Sequence, residues 1–181
     1  LPLRVFIGFI FYSFTKIIFL MKQLFILFTL VLSASIAGAQ NMLPTNWKVK
    51  FARENVKAND TVTVYFIGEI PEHQGVYGTQ FNCEFGPFPT KVVFDNDGNG
   101  YTALDSAKSI GAKPEYDEIF ECTPNKFKEH ALIKQVIRFK DKNAAISGHI
   151  EYQTCTNDMC LQFRMNFEFV GTKVMKVENA K

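Results

Sequence analysis

From Leu161 to Phe169 the chain alternates without a break: Leu161, Phe163, Met165, Phe167 and Phe169 point one way, and Gln162, Arg164, Asn166 and Glu168 the other. A period of two marks a strand with one buried face. Runs of β-branched and aromatic residues at Trp47 to Phe51, Thr61 to Ile70, Thr90 to Phe94, Ala131 to Phe139 and Ala145 to Gln153 read the same way. Turn-forming clusters separate them at Ala58-Asn59-Asp60, at Asp95 to Gly100 and at Lys140 to Asn143. No long window keeps a helical period with caps, and Thr102 to Ile110 is the one stretch compatible with a short helical turn. About seven short strands joined by turns predict an all-β fold, a β-sandwich of immunoglobulin-like type. Trp47 is expected to anchor its core, and the residues from Thr172 onward to fray.

The first 39 residues depart from this pattern. They carry Arg4, Lys16 and Lys22, no acidic residue, and 7 of the 19 phenylalanines. Met21 to Gln40 has the layout of a secretory signal: Lys22 as a short basic start, Leu24 to Leu32 as the apolar stretch, and Ala37-Gly38-Ala39 as a small-residue cleavage site. The apolar stretch is shorter than the roughly 20 residues a bilayer span needs. Residues 1 to 20 have two readings, translation from upstream of a true start at Met21 or a membrane anchor formed together with the adjoining apolar stretch, and the first is preferred. The expected organisation is a signal at 21–39, a lead at 40–46, a β-sandwich at 47–171 and a tail at 172–181.

Export through that signal, with cleavage after Ala39, predicts a periplasmic or otherwise extracytoplasmic location. Without the leader, the net charge of +2 vanishes, because residues 40 to 181 hold 17 basic and 18 acidic side chains. Such a balance gives no electrostatic footprint for a phosphate backbone, so a nucleic-acid partner is not expected. No phosphate-cradling glycine loop or dinucleotide fingerprint is present either, and no nucleotide or other cofactor is expected. Asp95 to Gly100 resembles half a calcium loop, but its twelfth place is Ser106 and not a glutamate, which favours a solvated hairpin turn and no metal. The three histidines, His73, His130 and His149, form no hydrolase motif with a nucleophile, although His149 lies where it could tune a nearby thiol.

All four cysteines, Cys83, Cys122, Cys155 and Cys160, lie in the exported part, where disulfides are permitted. Cys155 and Cys160 bracket Thr156-Asn157-Asp158-Met159 between two strands, and Asn157-Asp158 is good turn chemistry. Opposed across a hairpin, they would sit at Cα separations of roughly 4.5–5.5 Å, within reach of a disulfide. So short a ring contributes only about 2 kcal/mol in the chain-entropy model. The spacing leaves three readings, a redox pair, a local structural disulfide and a metal site, of which the last is weakest because no ligand cluster accompanies the pair.

The run from Ile146 to Leu161 resembles the active-site hairpin of the N-terminal periplasmic domain of the thiol:disulfide interchange protein DsbD. Gly75 to Phe81 with Gly86-Pro87-Phe88-Pro89-Thr90 is similar to that family's aromatic strand and its turn, and Lys113 to Phe120 is similar to its cap segment. The resemblance implies an immunoglobulin-like fold and a dithiol that exchanges electrons with thioredoxin-like extracytoplasmic proteins. It implies that Cys160 forms the mixed disulfide with the partner and that Cys155 resolves it. It also places Asp117, Glu118, Ile119 and Phe120 in a shielding cap, with Tyr77 and Tyr152 flanking the site. Leu161 leads into Gln162-Phe163 where the family carries Pro-Pro, so the strand is expected to run straight on from Cys160. Electrons are expected from a separate membrane donor.

Cys83 and Cys122 are additional to that pattern. A bridge between them would close about 40 residues and contribute roughly 4 kcal/mol, so a structural disulfide is the favoured reading, with Cys122 as a redox sensor the other. No basic residue lies between Glu151 and Leu161, so Cys160 is expected to be of ordinary acidity. An alternative to electron relay is a non-catalytic interaction module in which both cysteine pairs are structural.

Overall fold

The computed structural model describes residues 19–25 and 42–180, with Asn96 and Ile119 outside the described residues. The chain divides into two units, 1–41 and 42–181. In the first, residues 19–25 are helical, and no helix among the described residues is long and apolar enough to cross a membrane. Most of the signal stretch and its cleavage site at Ala39 lie outside the described residues.

In the second unit the alternating runs become strands that bury one face each. β1 (Asn46–Phe51), β2 (Thr61–Glu69), β8 (His130–Phe139) and β5 (Tyr101–Ser109) form a four-stranded antiparallel sheet in that order. The second sheet runs β11 (Lys173–Ala180), β10 (Cys160–Val170), β9 (Ala145–Cys155), β3 (Gly75–Tyr77), β7 (Asn125–Phe127) and β6 (Lys113–Pro114). β4 (Lys91–Phe94) shares with β3 the edge of β9 that β10 leaves open. Between the sheets, Val64, Phe66, Ile133 and Ile137 of the first meet Ile146, Ile150, Met165 and Phe167 of the second, all essentially without exposure. Phe66 meets Phe167 at 5.0 Å between ring centroids, and Trp47, buried as expected, meets Tyr152 edge-on at 5.4 Å. The two packed sheets are consistent with an immunoglobulin-like β-sandwich.

Four features differ from the sequence reading. Thr102 to Ile110 is no helical turn: through Ser109 it belongs to β5, whose register on β8 shifts between Leu104 and Lys108, with Asp105 at φ 58°. That bulge breaks the period of two and hides the strand. The buried Gln135 amide donates to the carbonyls of Leu104 and Asp105, supplying the partners the bulge removes. The segment after Thr172 does not fray but turns at Gly171 (φ 55°) and pairs along β10 from Val170 back to Arg164. The Asp95 to Gly100 turn closes no hairpin, because β4 and β5 belong to opposite sheets. Strands number eleven among the described residues, the extra ones including β3, β6 and β7 of two or three residues each.

Candidate functional site

Alternation along β9 decides which cysteine faces what. Ile146, Gly148, Ile150, Tyr152 and Thr154 turn inward, so Glu151, Gln153 and Cys155 belong to the outer face of the sheet. Cys160 is the register partner of Cys155 and shares that face. The two are joined in a disulfide at a Cα separation of 4.1 Å. The connection closes with the Thr156 N–H donating to the Met159 carbonyl at 2.9 Å, while the Thr156 hydroxyl accepts from the Asp158 and Met159 amides, leaving Asn157-Asp158 at the corner. β10 does run straight from Cys160, so that sulfur sits at the first residue of a strand. Cys155 is 4% exposed and Cys160 is half-buried, which makes Cys160 the more approachable sulfur.

Beside Cys155 on the next strand lies Gly75, its register partner, and two residues further Tyr77 on the same face. Tyr77 is fully buried and its hydroxyl donates to Asp117 Oδ2 at 2.6 Å. Lys126, the partner of Tyr77 on β7, places its Nζ 3.2 Å from the same carboxylate oxygen and 4.9 Å above the tyrosine ring. Burial and then the Asp117 carboxylate push the Tyr77 phenol far up, so it stays a proton donor. Burial opposes ionisation of Asp117, yet the hydrogen bonds from Tyr77, Lys126 and the Phe120 amide, with the Lys126 charge, hold its carboxyl below the usual range.

Asp117 also roots the segment that was expected to form a cap. Its N–H donates to the Cys122 carbonyl at 2.8 Å and the two form an antiparallel bridge. Within this loop Phe120 approaches Tyr77 edge-on at 6.5 Å, Glu118 is exposed, and Ile119 lies outside the described residues. Cys122 is bonded to Cys83, with Cα atoms 5.8 Å apart. Gly86 passes so close that a Cβ there would lie 2.0 Å from Cys83 Cβ and 3.2 Å from Cys122 Sγ. The bridge therefore ties the 117–122 loop to the segment that carries Phe88, whose N–H donates to Gln153 on the outer face of β9.

Two expected neighbours do not join the site. Tyr152 is three residues from Cys155, so the pleat turns it into the core, where its hydroxyl accepts from the Thr45 amide and its ring stacks on Phe163. His149 shares the outer face but lies six residues back, roughly 20 Å along the strand, and pairs with Glu151 at 3.4 Å. What the sequence reading missed is the rest of the lining: a groove of about 780 Å³ includes Cys155, Thr156 and Asn157 together with Lys126 and Lys128 of the β7 region. No local signal points to Lys126, because it comes near Cys155 only through the β9–β3–β7 order.

No family model matches the chain, and no curated protein matches its sequence. Among solved structures it is similar to the crystal structure of the Neisseria meningitidis DsbD N-terminal domain in the reduced form, with a TM-score of 0.50 at 15% identity. The match covers 80% of this chain and 100% of that one. The two share a fold. The Cys83–Cys122 and Cys155–Cys160 disulfides belong to this chain's own geometry.

Proposed function

We propose that the protein is an exported thiol–disulfide exchange domain that relays electrons through Cys155 and Cys160 to or from thioredoxin-like partners, with a separate membrane protein as electron donor. The observation that carries this reading is the position of the bond. It joins register neighbours at the turn end of a hairpin, on the outer face of a sheet whose inner face holds the core. Opening it removes no contact between the sheets. The fold likeness to a DsbD N-terminal domain in the reduced form supports the same chemistry, as does the secretory layout of residues 21 to 39.

In the exchange, a partner thiolate attacks Cys160 Sγ, the more accessible sulfur. The Cys155–Cys160 bond breaks, its electron pair leaves on Cys155 as a thiolate, and a mixed disulfide joins Cys160 to the partner. The domain is left reduced when the partner's second thiol attacks the partner's own sulfur in this mixed disulfide, oxidising the partner and releasing Cys160 as a thiolate. In the other direction the Cys160 thiolate attacks an oxidised partner's disulfide, and Cys155 then attacks Cys160, restoring the intramolecular bond and releasing the reduced partner. These steps move electrons from sulfur to sulfur and need no bound cofactor. The Asp117–Cys122 loop, with Phe120 against Tyr77, is proposed as the shield that limits adventitious reaction between encounters.

Equilibration of the protein in dithiothreitol or glutathione buffers, with alkylation and mass spectrometry of each cysteine, tests this. Exchange requires Cys155 and Cys160 to reduce and reoxidise together while circular dichroism stays native. If all four cysteines resist reduction until the protein unfolds, the pair is structural and the protein is a non-catalytic interaction module.

A further inference from the structure

The row of outer-face positions that holds the disulfide runs from Cys160 to Cys155 to Gly75. Gly75 is buried but has no side chain, so the place beside Cys155 is open to whatever leans over it. Lys126 does so. A Cβ on Gly75 would lie 3.0 Å from Lys126 Cδ and 3.3 Å from its Cγ, so the lysine stem occupies the space a side chain at 75 would fill. Lys126 and Cys155 also line the same groove. With its side chain only 14% exposed, the Lys126 ammonium is screened far less than a surface charge.

We propose that Lys126, reaching across Gly75, is the cation that stabilises the Cys155 thiolate released when the disulfide opens. The inference rests on the exchange reading and extends it, since a better leaving thiolate speeds attack on Cys160. Lys126 touches neither sulfur and is a positioning residue acting through its field.

Other charges face the same groove and set the scale of the effect. Asp117 at 3.2 Å and Glu115 at 4.0 Å share the Lys126 charge, and Glu115 is itself paired with Lys128 at 2.6 Å. Glu72 and Glu129 add negative charge, and His73 and His130 complete the wall. Asp158 at the hairpin tip is exposed. The groove is therefore not cationic as a whole, and any stabilisation of the thiolate is local to the lysine that leans over Gly75. A cation placed near a cysteine commonly lowers its pKa by a unit or more, so a shared one is expected to change acid dissociation by about three- to tenfold.

The test uses the full chain with Cys160→Ala, which leaves Cys155 as a single titrating thiol, followed by thiolate absorbance against pH. Lys126→Met is expected to weaken Cys155 acid dissociation by about three- to tenfold, and Lys126→Arg to restore most of it. Lys128→Met, removing an ammonium that is 69% exposed, is expected to change it less than about twofold. Gly75→Ala, which pushes the Lys126 stem aside and keeps the charge, should act in the direction of Lys126→Met and decides the question if Lys126→Met does not fold. An unchanged titration in Lys126→Met, or an equal change in Lys128→Met, overturns the proposal. Because the thiol is titrated directly, this outcome is independent of whether the wild-type disulfide cycles without unfolding, which decides the exchange reading alone.

Discussion

Removing the two disulfides separately should destabilise the protein to very different extents, and the contrast measures what each is for. Cys83 and Cys122 are 39 residues apart, whereas Cys155 and Cys160 are separated by 5. In the chain-entropy model the first cross-link restricts the unfolded chain by about 4 kcal/mol and the second by about 2 kcal/mol. The smaller figure falls further in practice. The register from Val170↔Ala145 through to Cys160↔Cys155 already holds β9 and β10 together, and the Thr156–Met159 hydrogen bond closes the turn without the sulfurs. We expect Cys155→Ala/Cys160→Ala to cost below about 1.5 kcal/mol, and Cys83→Ala/Cys122→Ala about 4 kcal/mol. For a chain of this size those losses correspond to a Tm drop of under about 5 °C and of more than about 10 °C.

Thermal and guanidinium unfolding of the oxidised wild type and both double variants, followed by far-ultraviolet circular dichroism, reads the difference. The larger loss should also come with release of the 117–122 loop, since Cys122 is both a disulfide partner and the acceptor of the Asp117 amide. Amide exchange at Asp117 and Phe120 reports that release. The reasoning is refuted if losing Cys155–Cys160 destabilises the protein as much as losing Cys83–Cys122. The hairpin bond would then be a staple, and its opening could not be part of a working cycle.

Two further outcomes test the fold and the buried charge. Gly148→Ala should destabilise by about 2–3 kcal/mol in denaturant unfolding, because its Cβ would lie 2.2 Å from the Val93 carbonyl oxygen and 2.6 Å from Phe167 Cζ, and a neutral result would mean the sheet yields there. Asp117 has its folded-state pKa depressed, so the stability it contributes is present above the unfolded carboxylate pKa of about 4 and is lost as pH falls through the folded value. Wild type should therefore lose more stability between about pH 5 and pH 2 than Asp117→Asn does, measured as urea midpoints, and parallel curves would contradict the buried ion pair.

The strands that were legible in the sequence are those whose inward residues face a continuous partner. β2, β8 and β9 each bury an unbroken set of alternate positions, and β10 does so from Phe163 to Phe169 while Leu161, beside the cysteine turn, stays exposed; the pattern is visible without any structure. β5 was not legible, because its bulge at Asp105 inserts a break that mimics the absence of a strand. β11 buries little beyond a partly covered Val177, so its alternation carries no apolar signal and its pairing is a matter of backbone alone. The hairpin of Cys155 and Cys160 could be read because its determinants are contiguous. Lys126 and its ion pair with Asp117 could not, since three separate chain segments bring them to Gly75 and Tyr77. Tyr152, which the resemblance set beside the site, is turned by the pleat into the core.

In many sandwiches of this fold a disulfide crosses the core and joins the two sheets. Here neither bond does. Cys155–Cys160 links neighbouring strands of one sheet on its outer face, and Cys83–Cys122 links two loops beyond the strands. The work of holding the sheets together falls on the apolar interface from Trp47 to Phe169, which is complete without either sulfur bridge. That separation is what a reversible bond requires. A disulfide whose opening exposed Phe167 or Ile150 would couple every turnover to partial unfolding, and its reduction would be opposed by the hydrophobic energy of the core. Placed at the turn of a hairpin, the Cys155–Cys160 bond would, in the proposed exchange, open while the register that aligns its two sulfurs stays intact, and the same geometry would return the thiols to bonding distance.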